Sequence, residues 1–146
     1  MFFVLDMWGQ NPFREATDLP SSTPIVLSSS EAYDFILLLQ GDEPQIFPDD
    51  IQNLSDAFCG SELEIINLVY PIDGNDLGNP NVVKAIMSNT SKISFFTRAH
   101  VPNRSDKATR QLGMIGFTIA ALTKYTNLQP TPLEELESID MMRLLE

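Results

Sequence analysis

The order of apolar and polar runs predicts an α/β layered domain with a mostly parallel sheet and flanking helices. Three observations carry that expectation. The run Phe35-Ile36-Leu37-Leu38-Leu39 is wholly apolar and stops abruptly at Gln40-Gly41-Asp42-Glu43-Pro44, as a buried parallel strand ending in a loop would. Pro48-Asp49-Asp50 then opens a segment whose apolar residues recur at Ile51, Leu54, Ala57 and Phe58 before Gly60, which is a helix with its start and stop signals. A second strand-like run at residues 63–70 ends before Pro71 and completes a strand, helix, strand order.

The remaining elements follow with less regularity. Residues 1–30 show no clean period, and Pro12, Pro20 and Pro24 interrupt their apolar residues. After a turn rich in Gly, Asn and Asp, residues 82–87 and 93–96 read as two strands, and Asn89-Thr90-Ser91 between them suggests a hairpin. A polar loop over 102–109 leads to a strand at 112–117, and Thr118 caps a short helix with Ile119, Leu122 and Tyr125 on one face. Thr131-Pro132-Leu133-Glu134 has the spacing of a capping box. The helix it opens is expected to run on with Leu133, Leu136 and Ile139 as an apolar face, and to be cut off at Leu144-Leu145-Glu146.

Composition bounds what such a domain does. With 146 residues the chain is about one domain long, and 43% hydrophobic with 20% charged residues is a globular rather than a disordered balance. The single cysteine, Cys59, excludes an internal disulfide, and no Cys/His cluster has zinc spacing, so a reducing, cytoplasmic setting is expected. The apolar start Met1-Phe2-Phe3-Val4-Leu5 lacks a basic flank and is broken at Asp6, unlike a signal peptide or a span. A net charge of -11 repels polyanions, which makes nucleic acid and anionic membrane poor partners. A phosphate ligand would need a divalent cation or a basic segment beside it.

Three segments are candidates for chemistry. Residues 40–44 lie at the carboxyl end of a strand, where ligands bind in open α/β sheets; the glycine allows close backbone approach and the acids suit Mg²⁺. An ordinary strand-to-helix turn with solvated acids reads the same way. Asn79-Pro80-Asn81-Val82-Val83-Lys84 is by itself an Asn-Pro turn at the mouth of a strand. In Phe96-Thr97-Arg98-Ala99-His100-Val101-Pro102, Arg98 directly follows an apolar strand and is either a surface arginine or a planar fork for a carboxylate. His100, the single histidine, has no partner at a telling spacing and receives no role, and the acids Glu134, Glu135, Glu137 and Asp140 suit the first turns of a helix without any ligand.

Taken in order, Q-G-D-E-P at 40–44, N-P-N-V-V-K at 79–84, F-T-R-A-H-V-P at 96–102, R-Q-L-G-M-I-G-F at 110–117 and P-L-E-E-L-E-S-I-D-M-M-R-L-L-E at 132–146 resemble the 3-deoxy-manno-octulosonate (Kdo) cytidylyltransferases. The resemblance covers 31–146 as a partial cytidylyltransferase domain and leaves 1–30 without a counterpart. It implies a Rossmann-like fold of the nucleotide-diphospho-sugar transferase type, and transfer of CMP from CTP to the anomeric hydroxyl of an acidic sugar with release of pyrophosphate and with Mg²⁺ as cofactor. It casts Asp42 as the metal-binding aspartate, Gln40 and Gly41 as the nucleotide-side loop, Arg98 as the arginine that grips the acid sugar, and Glu134 and Glu135 as an acidic pair approaching that sugar. Asp42 and Arg98 are thereby the expected catalytic residues, CTP and the acid sugar the expected partners, and a second copy of the chain a further one.

Departures temper the transfer of roles. Gln111 stands in a sugar-side position where that family has histidine, Ile115 where it has tyrosine, and Glu135 where it has glutamine. The family's Arg- and Lys-containing phosphate loop and its G-V-D-T-P-E-D-L segment have no match in these residues, so little activity is expected of the chain by itself. A remnant that serves as an interaction module is the rival expectation.

Overall fold

The computed structural model describes residues 4–6, 35–40, 46–59, 61–101 and 108–146. In chain order it holds β1 (Val4–Asp6), β2 (Phe35–Leu39), α1 (Pro48–Cys59), β3 (Ile65–Pro71), a 3-10 turn (Gly74–Asp76), β4 (Lys84–Met87), β5 (Ile93–Thr97), β6 (Thr109–Thr118), α2 (Ile119–Asn127), α3 (Pro132–Glu137) and a second 3-10 turn (Asp140–Leu144). Strand pairing runs β1-β2-β6-β4-β5, with β3 also paired to β6. The elements divide into two compact units, Met1–Leu68 with Gly113–Asn127 and Val69–Leu112 with Leu128–Glu146.

The first unit is an apolar layer structure. β1 pairs parallel with β2, and β2 pairs antiparallel with the second half of β6 from Phe35↔Thr118 to Leu39↔Met114. Phe35, Leu37, Leu54, Phe58 and Met114 form a buried cluster, flanked by Leu39, Ile46, Ile51, Ile66 and Leu68. The rings of Phe35 and Phe58 stack with centroids 4.9 Å apart, so the first residue of β2 and the last turn of α1 interlock. That ring also explains Gly116, because a Cβ added there would fall on the ring of Phe58. The acids Asp49 and Asp50 occupy the first turn of α1, where the Asp50 carboxylate accepts the main-chain N–H of Phe47 at 3.0 Å. Thr118 caps α2 as its sequence foretells, accepting the N–H of Ala121 at 3.2 Å.

The second unit is built around a hairpin. β4 and β5 pair antiparallel from Lys84↔Thr97 to Met87↔Ile93 with an irregularity between Ile86 and Met87, and Ser91 in the turn takes a left-handed φ of 59°. β4 also pairs antiparallel with the first half of β6, through Lys84↔Arg110 and Ala85↔Thr109. Ile72, Leu77 and Ala108 form a small apolar cluster beside Val82. The thioether of Met142 accepts the N–H of Phe96 at 3.4 Å.

Two expectations need correction. The α/β class with flanking helices holds, but among the described residues the sheet is mixed and not mostly parallel: β2–β6, β4–β6 and β4–β5 are antiparallel, against the parallel pair β1–β2. The physical reason is that an all-apolar strand reports burial on both faces and says nothing of its neighbours' direction. The C-terminal helix likewise does not run to the end of the chain. The capping box forms as expected, but α3 stops at Glu137 because Ser138 adopts a left-handed conformation (φ 53°, ψ 49°) whose N–H bonds back to the Glu134 carbonyl. Leu133, Leu136 and Ile139 therefore do not share one apolar face. Leu136 is 79% exposed, while Ile139, Met141 and Met142 turn inward and are buried.

Candidate functional site

Strand β4 begins on a charged residue, Lys84, in an otherwise apolar run. Lys84 is completely buried, lying in register between Thr97 of β5 and Arg110 of β6. Its ammonium donates to two main-chain carbonyls, Asn79 at 2.6 Å and Arg98 at 3.1 Å. Burial lowers its pKa below the ordinary lysine range, the nearby Arg98 charge lowers it further, and Asp76 opposes the shift.

Arg98 follows β5 directly. Its guanidinium donates through one terminal nitrogen to the Pro80 carbonyl at 3.0 Å and through the other to the Ser138 carbonyl at 3.3 Å. Both of these partners are neutral, so these bonds orient the fork without cancelling its charge. The main chain of the same residue is held as well, its N–H donating at 3.0 Å to the Glu137 carboxylate, which also accepts the Thr97 hydroxyl at 2.8 Å. A half-buried arginine steered in this way suits a ligand carboxylate or phosphate.

Gln40 belongs to the first unit, where its main-chain N–H donates to the Gly113 carbonyl at 2.7 Å; Gly41 and Asp42 lie outside the described residues. Gln111 is half-buried in β6 with its N–H on the Val83 carbonyl at 2.9 Å, and Ile115 is fully buried. Glu135 is exposed on α3, and His100 is exposed beyond β5. Glu134 is 9% exposed and already engaged: Arg143 reaches both of its oxygens, from Nε at 2.7 Å and from a terminal nitrogen, and the Thr131 N–H completes the capping box. Arg98, Gln111, Glu134 and Glu135 thus all belong to the second unit, and Arg98 forms hydrogen bonds with Pro80, Lys84, Glu137 and Ser138.

Sequence reasoning gave Lys84 and Glu137 no role. A lysine inside the apolar run Val82-Val83-Lys84-Ala85-Ile86-Met87 is the available signal, since an unpaired charge is costly in a buried strand. Glu137 carries no such signal, being one of several acids on a short helix. No group of three or more His, Cys, Asp or Glu that could hold a metal ion occurs among the described residues, and Asp42 and Glu43 fall outside them. Among the described residues no helix is long and apolar enough to cross a membrane.

Comparison with known proteins matches residues 15–146 to the cytidylyltransferase family model. The chain is 31% identical to 3-deoxy-manno-octulosonate cytidylyltransferase of Acidobacterium capsulatum, over 83% of this chain and 51% of that protein. It is 30% identical to the enzyme of the same name from Rickettsia felis, over 83% of this chain and 49% of that one. In structure it resembles CMP:2-keto-3-deoxy-manno-octonic acid synthetase solved with CTP, with a TM-score of 0.69 and 26% identity over 77% of this chain and 48% of that one. The chain spans about half the length of the curated relatives it matches.

Proposed function

The chain belongs to the cytidylyltransferase family, and from that premise we propose that it is part of an enzyme that transfers CMP from CTP to an acidic octulosonate sugar, releasing pyrophosphate. The observation that carries the acidic-sugar half of this reading is Arg98, whose guanidinium is seated by the Pro80 and Ser138 carbonyls with its charge intact. A planar fork held by neutral partners binds a sugar carboxylate through two parallel hydrogen bonds. The similarity to a synthetase solved with CTP supports the nucleotide half.

In this reading Gln40 and Gly41 form the nucleotide-side loop, and Gln111, Glu134 and Glu135 belong to the sugar side. Asp42 is the residue that would hold Mg²⁺, which when bound offsets the phosphate charge that a chain of net charge -11 would otherwise repel. Positioning and charge neutralisation are what nucleotidyl transfer chiefly requires of a protein, and Arg98 supplies both toward the acid sugar. The product would feed surface-polysaccharide synthesis from a cytoplasmic location.

The test is a calorimetric titration of the protein with 3-deoxy-manno-octulosonate and, separately, with CTP. Arg98→Ala should weaken sugar binding by about 2–5 kcal/mol, because the carboxylate loses its charged partner, while CTP binding changes little. Equal sugar affinity in wild type and variant would overturn the assignment.

A further inference from the structure

The second unit contains two charged side chains that bond to the main chain of Arg98. Lys84 donates to the carbonyl of Arg98, and Glu137 accepts its N–H, so both peptide groups of one residue are held by side-chain charges of opposite sign. The same two side chains also govern the seat of the guanidinium. Lys84 ties down the Asn79 carbonyl, and the next residue, Pro80, supplies the first carbonyl on which the guanidinium rests. Glu137 binds the Thr97 hydroxyl and the Arg98 N–H, and the next residue, Ser138, supplies the second. Ser138 is itself in a left-handed conformation that directs this carbonyl.

We infer that Lys84 and Glu137 are positioning residues that hold Arg98 in the orientation it needs for an acidic ligand. Burying an ammonium with only backbone carbonyls for hydrogen-bond partners is a poor route to stability, since an apolar side chain would fill the same place in β4 at lower cost. What the charge does achieve is attachment of three separate pieces of chain: the 79–80 turn, the end of β5 and the start of β4. Glu137 adds the end of α3 to the same frame. Neither side chain need touch the ligand, because both act through the residue that does. The inference rests on the reading of Arg98 as the carboxylate grip.

The experiment compares Glu137→Ala, Glu137→Gln, Lys84→Met and Arg98→Ala in the full chain. Each is titrated with 3-deoxy-manno-octulosonate, melted thermally, and observed by NMR at the arginine Nε–H resonances, with Arg98 assigned from its own variant. Glu137→Ala should weaken sugar binding about tenfold and broaden the Arg98 Nε–H signal, because misplacing a gripping group is costly even when the fold survives. Glu137→Gln should restore most of both, since an amide oxygen accepts the same two hydrogen bonds. Lys84→Met should resemble Glu137→Ala; if it fails to fold, the two Glu137 variants carry the test.

Wild-type sugar affinity and an unchanged Arg98 signal in Glu137→Ala would overturn the positioning role. If that occurred while Arg98→Ala lost the sugar, the proposed function would stand and this inference would not. If Arg98→Ala kept full affinity, the carboxylate grip would fail, and the Nε–H signal would still decide whether Lys84 and Glu137 order the side chain.

Discussion

Each of the two units of this chain has its own internal chemistry. In the first, the cluster of Phe35, Leu37, Leu54, Phe58 and Met114 is apolar throughout, and its most specific feature is the fit of one aromatic ring against another and against Gly116. In the second, Phe96, Ile139, Met141 and Met142 are buried besides the small group Ile72, Leu77 and Ala108, and the polar or charged Lys84, Thr97 and Glu134 are buried with them. The polar side chains are the ones that converge on Arg98 and on the ends of α3. Apolar packing is non-directional and supplies stability, whereas hydrogen-bonded charges fix where particular atoms point. The second unit thus adds to its apolar residues a set of buried, hydrogen-bonded charges that the apolar cluster of the first does without.

That contrast is broken most severely in the first unit. Phe58→Ala removes a ring that is 8% exposed and stacked on Phe35, and should cost about 3–5 kcal/mol in a urea titration. A loss below about 1 kcal/mol would mean that the cluster collapses around the gap and that its packing is not specific.

A smaller effect is expected from the ion pair of the second unit. The side chains of Arg143 and Glu134 are 18% and 12% exposed, so Arg143→Met leaves a mostly buried carboxylate with its capping bonds but without its cation. A fully buried pair would lose more; partial exposure brings the expected cost to about 1–3 kcal/mol by the same titration. An unchanged midpoint would show α3 to be held by its cap and by Met141 and Met142 alone.

The smallest effect separates the two units by pH. Lys84 has its pKa lowered in the folded protein, chiefly by burial and then by Arg98, with Asp76 opposing. Well below its folded pKa it is charged in both states, and its contribution does not vary with pH. Between the folded pKa and the ordinary lysine value the unfolded chain binds more protons, so the contribution of Lys84 to stability rises with pH. Wild type should therefore gain stability relative to Lys84→Met on going from neutral to alkaline solution, whereas Phe58→Ala should keep a constant difference. A fall instead of a rise would mean that the ammonium is favoured, not opposed, by its surroundings.

Local signals account for much of the fold. The five residues of β2, the twelve of α1 and the capping box at Thr131 are where the pattern of apolar residues, prolines and acids puts them. Each is decided by interactions within a few residues, which is why the sequence is enough. The start of β6 was not legible, because Thr109, Arg110 and Gln111 look like loop and become strand through Lys84, Ala85 and Val83, far away in the chain. The same holds for the end of α3, where nothing in Glu137-Ser138-Ile139 announces a stop, and burial of Ile139, Met141 and Met142 outweighs the modest cost of a left-handed serine.

The candidate site divides along the same line. Arg98 stands out in the sequence because a lone arginine ends an apolar strand, and the five ordered motifs mark the family. The orientation of Arg98 and the identity of its hydrogen-bond partners are visible only in the tertiary structure. Lys84 and Glu137 reach Arg98 across sequence separations of 14 and 39 residues. A residue type and its neighbours are local properties, readable along the chain, whereas a hydrogen bond between distant residues exists only once the strands and helix that carry them have packed.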